Sequence, residues 1–192
     1  MLASGAGTIL EALLKAGVPV TVVVADRPCR ALEVARVSGR PAELVRRDSF
    51  GPSFDRLGYT RRLMDVLAAH EADLVALAGF LTILERPILD AWPGRVLNTH
   101  PSLLPAFPGA HAVADALAAG VKVTGCTIHV AGPEVDAGPI LAQEAVPVLP
   151  GDSEESLHER IKVVERRLYP ATILAMLPLG RPPGAHRASV RA

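Results

Sequence analysis

Short, nearly continuous runs of apolar residues alternate along this chain with stretches in which apolar residues recur every three or four positions. The first pattern is typical of strands buried on both faces of a sheet, and the second is typical of helices with one apolar face. Such alternation predicts an α/β fold of three layers, in which helices cover both faces of a mainly parallel, twisted sheet. The predicted strands are residues 18–25, 73–78 and 95–98, and the predicted helices are residues 8–16, 30–38, 55–70 and 112–119.

The pattern changes after Gly120. Two longer strand-like runs, residues 121–130 and 139–149, are joined by a segment rich in glycine, which predicts an antiparallel hairpin. A final helix is predicted to begin with a capping box at Asp152 and to kink at Pro170.

A change in composition marks the end of the predicted domain. The last residues are rich in proline, glycine and charge, and we expect a loose tail over residues 179–192. Residues 1–178 are then expected to form a single domain with two halves, residues 1–98 and residues 99–178.

The composition limits the functions to be expected. The 192 residues are 49% hydrophobic, enough for a core, and 20 basic residues balance 20 acidic ones. A protein that mainly binds nucleic acid usually has a basic excess, so no nucleic-acid partner is expected, although a local basic patch stays open. The longest apolar run, residues 74–84, is too short for the ~20 residues of a membrane span, and no signal peptide is recognised. Cys29 and Cys126 have no metal or redox spacing, so we expect a cytoplasmic protein without a metal site.

Residues Asn98-Thr99-His100-Pro101 follow directly on a predicted buried strand. Because side chains alternate along a strand, Asn98 and His100 are expected on one face, within reach of the same substrate atom, and Thr99 on the other. Prolines stiffen the loop that follows. A rigid loop after a strand, carrying a titratable imidazole, indicates a catalytic site. Three dispersed histidines are expected in surface or packing roles: His111, His129 and His158.

Two further segments contain candidate residues. Ser4-Gly5-Ala6-Gly7-Thr8 precedes the first predicted helix, whose N-terminal N–H groups could hold an anion such as phosphate. A plain turn explains this segment equally well, because the third glycine of a dinucleotide site is missing. Asp136 lies in the connection of the predicted hairpin, where an aspartate before glycine is more often a turn residue. If that connection folds back over the catalytic strand end, its carboxylate would favour a protonated imidazole.

The order and spacing of these motifs resemble one family. The motifs are Ser4-Gly-x-Gly7, Leu77-Ala-Gly-Phe80, Asn98-x-His-Pro-Ser-Leu-Leu-Pro105 with Phe107-Pro-Gly109, and Asp136-x-Gly-Pro139. Together they are similar to the phosphoribosylglycinamide formyltransferases, the folate-dependent transformylases of purine synthesis, over about residues 1–178. The resemblance implies a Rossmann-like formyltransferase fold. It also implies transfer of the formyl group of 10-formyltetrahydrofolate to the amine of glycinamide ribonucleotide.

The same resemblance implies roles for individual residues. Asn98 and His100 would stabilise the oxyanion that forms when the amine attacks the formyl carbon, and Asp136 would keep His100 protonated. The first half of the domain would bind phosphate, and the second would hold the folate and the catalytic groups. The binding residues implied for the phosphate and the glycinamide are Gly7, Thr8, Ile9 and Glu165, and those for the folate are Arg56, Leu81, Thr82, Ile83, Leu84 and Asn98. Relatives commonly have a polar residue in place of Ile9 and an arginine in place of Thr82, so backbone groups would act at both positions.

Related enzymes share this site core, so the fold alone does not fix the acceptor. Methionyl-tRNA formyltransferase has a C-terminal nucleic-acid-binding domain, and formyltetrahydrofolate hydrolase has an N-terminal regulatory domain; neither is expected here. A non-catalytic nucleotide-binding module would leave the catalytic motif without a purpose. Before Ser4 the chain has fewer residues than a usual strand of about five, so we expect the native start to lie upstream. The oligomeric state stays open, with a homodimer among the states considered.

Overall fold

The computed structural model describes residues 1–49 and 51–177. The strands are β1 (Leu2–Ala3), β2 (Val23–Ala25), β3 (Ala42–Leu44), β4 (Val75–Ala78), β5 (Val96–His100), β6 (Val123–Val130) and β7 (Ile140–Pro147). They form a seven-stranded sheet in the order β3-β2-β1-β4-β5-β6-β7. The pairs among β1 to β5 are parallel, whereas β5 with β6 and β6 with β7 are antiparallel. The predicted mainly parallel sheet and its antiparallel hairpin are confirmed.

Helices cover both faces of this sheet. They are α1 (Thr8–Lys15), α2 (Arg30–Val37), α3 (Arg56–Ala69), α4 (Arg86–Ala91), α5 (Ala112–Ala118) and α6 (Glu154–Met176). One apolar core contains buried residues of α1, α2, α5 and α6, and the other contains buried residues of α3 and α4. The result is the three-layer arrangement that the sequence predicts. None of the helices in the described ranges has the length and apolar content needed to cross a membrane.

Neighbouring residues of the central strands belong to opposite cores. Val22 and Val24 pack in the core with α3 and α4, whereas Val23 packs in the other core. Val96 and Leu97 are divided in the same way. A strand that is buried on both faces has no polar positions, which explains the continuous apolar runs. Each fully buried aliphatic side chain of this kind stabilises the fold by roughly 1.5–3 kcal/mol.

The predicted first strand is present but short. β1 has two residues and lies between β2 and β4, in the middle of the sheet. The ammonium group of Met1 is buried and donates a hydrogen bond to the carbonyl of Val22 at 2.9 Å. Burial lowers the pKa of this group to about 5, because the charged form is poorly solvated there.

Some elements differ from the sequence prediction. The predicted strand at residues 18–25 begins only at Val23, because the N–H of Val18 bonds to the carbonyl of Leu13 at the end of α1. β3 is a half-exposed strand of three residues, and α4 has six residues with a proline near its start. Neither element is long enough to produce a period in the sequence, and neither is predicted.

The last helix agrees more closely with the prediction. A capping box is present one residue later than predicted, because Ser153 and not Asp152 caps α6, in a reciprocal pair with Ser156. The helix continues through Pro170, and the kink stays a prediction. The predicted loose tail, residues 179–192, lies outside the described residues.

Candidate active site

Asn98 and His100 lie on the same face of β5, as the alternation of side chains predicts. That face belongs to the core with α3 and α4, since Val96 two residues earlier packs there. Thr99 points to the other face, where its hydroxyl lies 3.6 Å from the thiol of Cys126. His100 is only 5% exposed, so the catalytic candidate is shielded from bulk water.

The hairpin connection folds back over this face and brings Asp136 to His100. Oδ2 of Asp136 lies 3.3 Å from Nδ1 of His100, and it accepts a hydrogen bond from the N–H of Gly109 at 2.8 Å. Asp136 has a left-handed backbone with φ of 57°. Close packing also requires Gly138, because a Cβ there would lie 1.8 Å from the carbonyl oxygen of Val130. The backbone conformation of the connection therefore places the carboxylate of Asp136 beside the ring of His100.

Asp136 is held in its ionised form. Burial on its own would raise the pKa of this carboxyl, but the interaction with His129, the N–H of Gly109 and the charge of His100 together outweigh burial. The net effect is a pKa below the ordinary value of an aspartate. A carboxylate therefore faces the imidazole at neutral pH.

The second ring nitrogen of His100 also faces an oxygen. Nε2 lies 2.8 Å from the carbonyl of Phe107, a residue with a left-handed backbone and φ of 54°. The loop that presents this carbonyl is tied to β6 by Thr127, whose hydroxyl donates to the carbonyl of Ser102 at 2.6 Å and accepts from the N–H of Leu104 at 3.1 Å. Hydrogen bonds thus add to the prolines in stiffening the loop. An imidazole between a carbonyl and a carboxylate satisfies both acceptors when both of its nitrogens carry protons.

His129 is a member of this cluster, which the sequence analysis does not predict. Its Nε2 lies 3.2 Å from Nδ2 of Asn98 and 3.6 Å from Oδ1 of Asp136, and its Nδ1 lies 3.1 Å from the carbonyl of Val130. The side chain is 2% exposed, so a surface role is wrong. His129 stands opposite Asn98 in the antiparallel register of β5 and β6. The position of His129 in the site depends on this register, which the sequence does not predict.

The first predicted binding segment forms the N-terminus of α1. The helix begins at Thr8 without a side-chain cap, so its first N–H groups point out of the helix end. Gly7 is required there, because its φ is 77° and an added Cβ would lie 2.9 Å from the Cα of Ala31. The side chain of Ile9 is buried in the core, so only its backbone faces an anion. An anion-binding helix end is compatible with this geometry.

The second binding segment, residues 81–84, lies beside the first. The hydroxyl of Ser4 accepts a hydrogen bond from the N–H of Leu81 at 3.1 Å. Leu81 and Ile83 are 65% and 54% exposed, whereas Thr82 is buried. Two exposed aliphatic side chains on one short segment suit a flat, partly apolar ligand. At the far end of the segment, Nη1 of Arg56 lies 3.7 Å from a carboxylate oxygen of Glu85.

Glu165 approaches β5 from the opposite face. It lies on α6 and its carboxyl group interacts with the hydroxyl of Thr99. Burial raises its pKa, because the charged form is poorly solvated, although the hydrogen bond with Thr99 acts in the other direction. Thr99, which interacts with Glu165, lies between Asn98 and His100 on β5. In residues 1–49 and 51–177, no group of three or more metal-ligating side chains is placed to hold a metal ion.

Comparisons with known proteins identify the class of enzyme. A family model described as formyl transferase matches residues 2–173. The phosphoribosylglycinamide formyltransferase of Mycobacterium tuberculosis (strain H37Rv) is 52% identical over 185 residues, which are 94% of this chain and 85% of that protein. The chain therefore belongs to the phosphoribosylglycinamide formyltransferase family within the formyl transferases.

Solved structures agree with this assignment. The structure of glycinamide ribonucleotide transformylase 1 from Symbiobacterium toebii has a TM-score of 0.84 and 45% identity, over 90% of this chain and 83% of that chain. The structure of phosphoribosylglycinamide formyltransferase from Streptococcus pneumoniae TIGR4 has a TM-score of 0.84 and 36% identity, over 91% of this chain and 96% of that chain. The fold described above is thus the fold of this enzyme family.

Proposed function

We propose that this chain transfers the formyl group of 10-formyltetrahydrofolate to the amine of glycinamide ribonucleotide in purine biosynthesis. The products are N-formylglycinamide ribonucleotide and tetrahydrofolate. One observation carries the proposal: Asn98, His100 and Asp136 come together at the end of β5 although Asp136 is distant in sequence. The membership in the formyltransferase family supports the choice of substrates.

The reaction begins when the amine of the acceptor attacks the formyl carbon. A new C–N bond forms and the formyl oxygen becomes an oxyanion, which the amide of Asn98 and the Nε2–H of His100 stabilise. In the structure this N–H faces the carbonyl of Phe107, and the oxyanion takes over as its acceptor. One well-placed donor of this kind contributes roughly 3–4 kcal/mol to the stability of the transition state.

The tetrahedral intermediate then breaks down. The bond between the formyl carbon and N10 of the folate breaks, the oxyanion returns to a carbonyl, and a proton moves from the attacking nitrogen to N10. His100 transfers this proton, which accelerates the step by roughly 10²–10⁴. Asp136 lies at Nδ1 and stabilises the imidazolium that gives the proton to N10 and that forms again when His100 takes up the proton of the attacking nitrogen.

Binding of the acceptor uses two faces of the sheet. The backbone N–H groups of Gly7, Thr8 and Ile9 hold the phosphate at the N-terminus of α1, and the hydroxyl of Thr8 adds a donor. Glu165 binds the glycinamide part from the Thr99 side of β5.

Binding of the folate uses the exposed segment of residues 81–84, which follows β4. The backbone groups of Leu81, Thr82, Ile83 and Leu84 pair with the pterin, Arg56 pairs with the glutamate tail, and Asn98 contacts the formyl end. In this proposal, residues 1–178 are one domain, with the phosphate-binding half at 1–98 and the folate and catalytic half at 99–178. The expected cytoplasmic location and the homodimer stay predictions.

The test is an assay of the purified protein with both substrates. Formation of the formylated ribonucleotide should require glycinamide ribonucleotide and should release one tetrahydrofolate for each product molecule. Steady release of formate without the acceptor would instead indicate a hydrolase. If neither reaction occurs and neither ligand binds in a titration, the proposal is refuted.

A further inference from the structure

The loop that precedes α1 presents its carbonyl groups to the start of α2. The N–H of Ala31 donates to the carbonyl of Gly5 at 3.1 Å, and Nη1 of Arg30 donates to the carbonyl of Ala6 at 2.7 Å. Gly7 packs so closely on Ala31 that an added Cβ would lie 2.9 Å from the Cα of that residue. The start of α2 therefore holds the loop by its carbonyl groups, so that the first N–H groups of α1 stay directed out of the helix end.

The same guanidinium group of Arg30 also pairs with a carboxylate on α1. Its Nη2 lies 2.6 Å from Oε1 of Glu11, and the two side chains are 55% and 46% exposed. One guanidinium group can hold the loop carbonyl and this carboxylate together, because its donors form a planar fork. Arg30 therefore bridges the loop and the first turn of α1.

Without this ion pair, Glu11 would oppose the binding of an anion at the helix end. It lies four residues after Gly7 and therefore on the same face of α1, and its N–H donates to the carbonyl of Gly7 at 3.0 Å. Side chains of a helix lean toward its N-terminus, which brings this carboxylate toward the first N–H groups. Two anions at one helix end repel each other and compete for the same partial positive charge. Arg30 reduces that repulsion, because its guanidinium group neutralises Glu11.

We propose that Arg30 is a positioning residue for the phosphate of the acceptor, which it favours by neutralising Glu11 while it is anchored on the carbonyl of Ala6. This inference rests on the proposed function, in which Gly7, Thr8 and Ile9 bind that phosphate. The side chain of Ile9 is buried and offers no donor, so the charge balance at the helix end has more influence on affinity. Both contacts of Arg30 are at this helix end and not at β5, so we expect a change in KM and not in kcat.

The experiment is a steady-state assay in which glycinamide ribonucleotide is varied at saturating 10-formyltetrahydrofolate. Arg30→Gln should raise KM by about fivefold to tenfold and keep kcat within about twofold of the wild type, because the phosphate then meets an unpaired carboxylate. Adding Glu11→Gln to Arg30→Gln should return KM to within about twofold of the wild type, since the double variant lacks that carboxylate. Arg36→Gln is the matched control, because Arg36 is exposed in the last turn of the same helix, and its KM should equal that of the wild type.

An acceptor without phosphate separates this effect from a general change in structure. The wild type and Arg30→Gln should use glycinamide riboside with equal kcat/KM, because the riboside carries no charge to be repelled. A KM for glycinamide ribonucleotide in Arg30→Gln within about twofold of the wild type overturns the inference and leaves the proposed function intact. A double variant as weak as Arg30→Gln, or an equal loss with the riboside, also overturns it. Absence of formyl transfer in the wild type refutes the proposed function and this inference with it.

Discussion

Replacement of Asp136 by asparagine removes a charge from the site with little change in shape. The carboxylate lies 3.3 Å from Nδ1 of His100, and two opposite unit charges at that distance attract by about 5 kcal/mol at an effective dielectric constant of ~20. The burial of both groups offsets part of this attraction, which leaves about 2–4 kcal/mol for stabilising the imidazolium. We therefore expect Asp136→Asn to lower kcat by roughly 30-fold to 10³-fold.

Steady-state assays separate this effect from damage to binding. The asparagine oxygen can still accept the N–H of Gly109, so the loop should keep its position and KM for both substrates should change by less than about threefold. Asp65→Asn on the exposed face of α3 is the matched control and should leave kcat unchanged. A kcat for Asp136→Asn within about threefold of the wild type would refute the proposal that Asp136 stabilises the protonated form of His100.

The same variant predicts a change in acid stability. The pKa of Asp136 is lowered in the folded protein, so its ionised form contributes stability above the unfolded pKa of about 4. That contribution is lost as the pH falls through the lower folded value. Acid titrations of unfolding should therefore show less loss of stability below about pH 4 in Asp136→Asn than in the wild type. Identical titration curves would show that this linkage is absent.

Three other substitutions test the helix end, the buried carboxyl and the second histidine. Gly7→Ala should lower the free energy of unfolding by about 2–3 kcal/mol, because the new Cβ would contact Ala31. The control Gly17→Ala has a similar φ but lies in open space, so it should lower the free energy of unfolding by only about 1 kcal/mol. Equal losses in denaturant titrations would contradict this prediction. Glu165→Gln should raise KM for glycinamide ribonucleotide by about tenfold. Because burial raises the pKa of Glu165, the wild type loses stability as the pH rises from the unfolded to the folded pKa, so thermal melts should show the variant gaining at neutral pH and not at pH 4. His129→Ala should lower kcat by about tenfold with little change in KM, and His129→Gln should recover part of it; a lack of recovery would argue against hydrogen bonding as its role.

Local sequence patterns are sufficient to predict the parts of the site that lie on a single strand. The side-chain alternation along β5 correctly separates Asn98 and His100 from Thr99, because a period of two is a property of the backbone alone. The family motif placed Asp136 in the list of candidates, but the residues around it are also typical of a turn. The contacts of Asp136 with His100 and Gly109, together with the close packing of Gly138 on Val130, show how the connection bends toward His100.

The parts that the sequence did not predict depend on pairing between distant segments. His129 joins the site because β6 pairs with β5 in a register that puts it opposite Asn98, and no local period specifies that register. The short elements β3 and α4 escape prediction for a related reason, since their formation depends on tertiary packing more than on their own residues.

The division of β5 between two cores has a consequence for the evolution of acceptor choice. In the proposed mechanism, Asn98 and His100 act on the formyl group from one face of β5, whereas Thr99 and Glu165 lie on the other face, in a layer built by different helices. If these roles are correct, mutations in the α6 layer should alter the amine that is accepted while the carbonyl chemistry stays unchanged. The side chains on the two faces of this strand end can therefore change independently of each other. Engineering of a new acceptor should begin with residues of α6 and keep the hairpin connection unchanged.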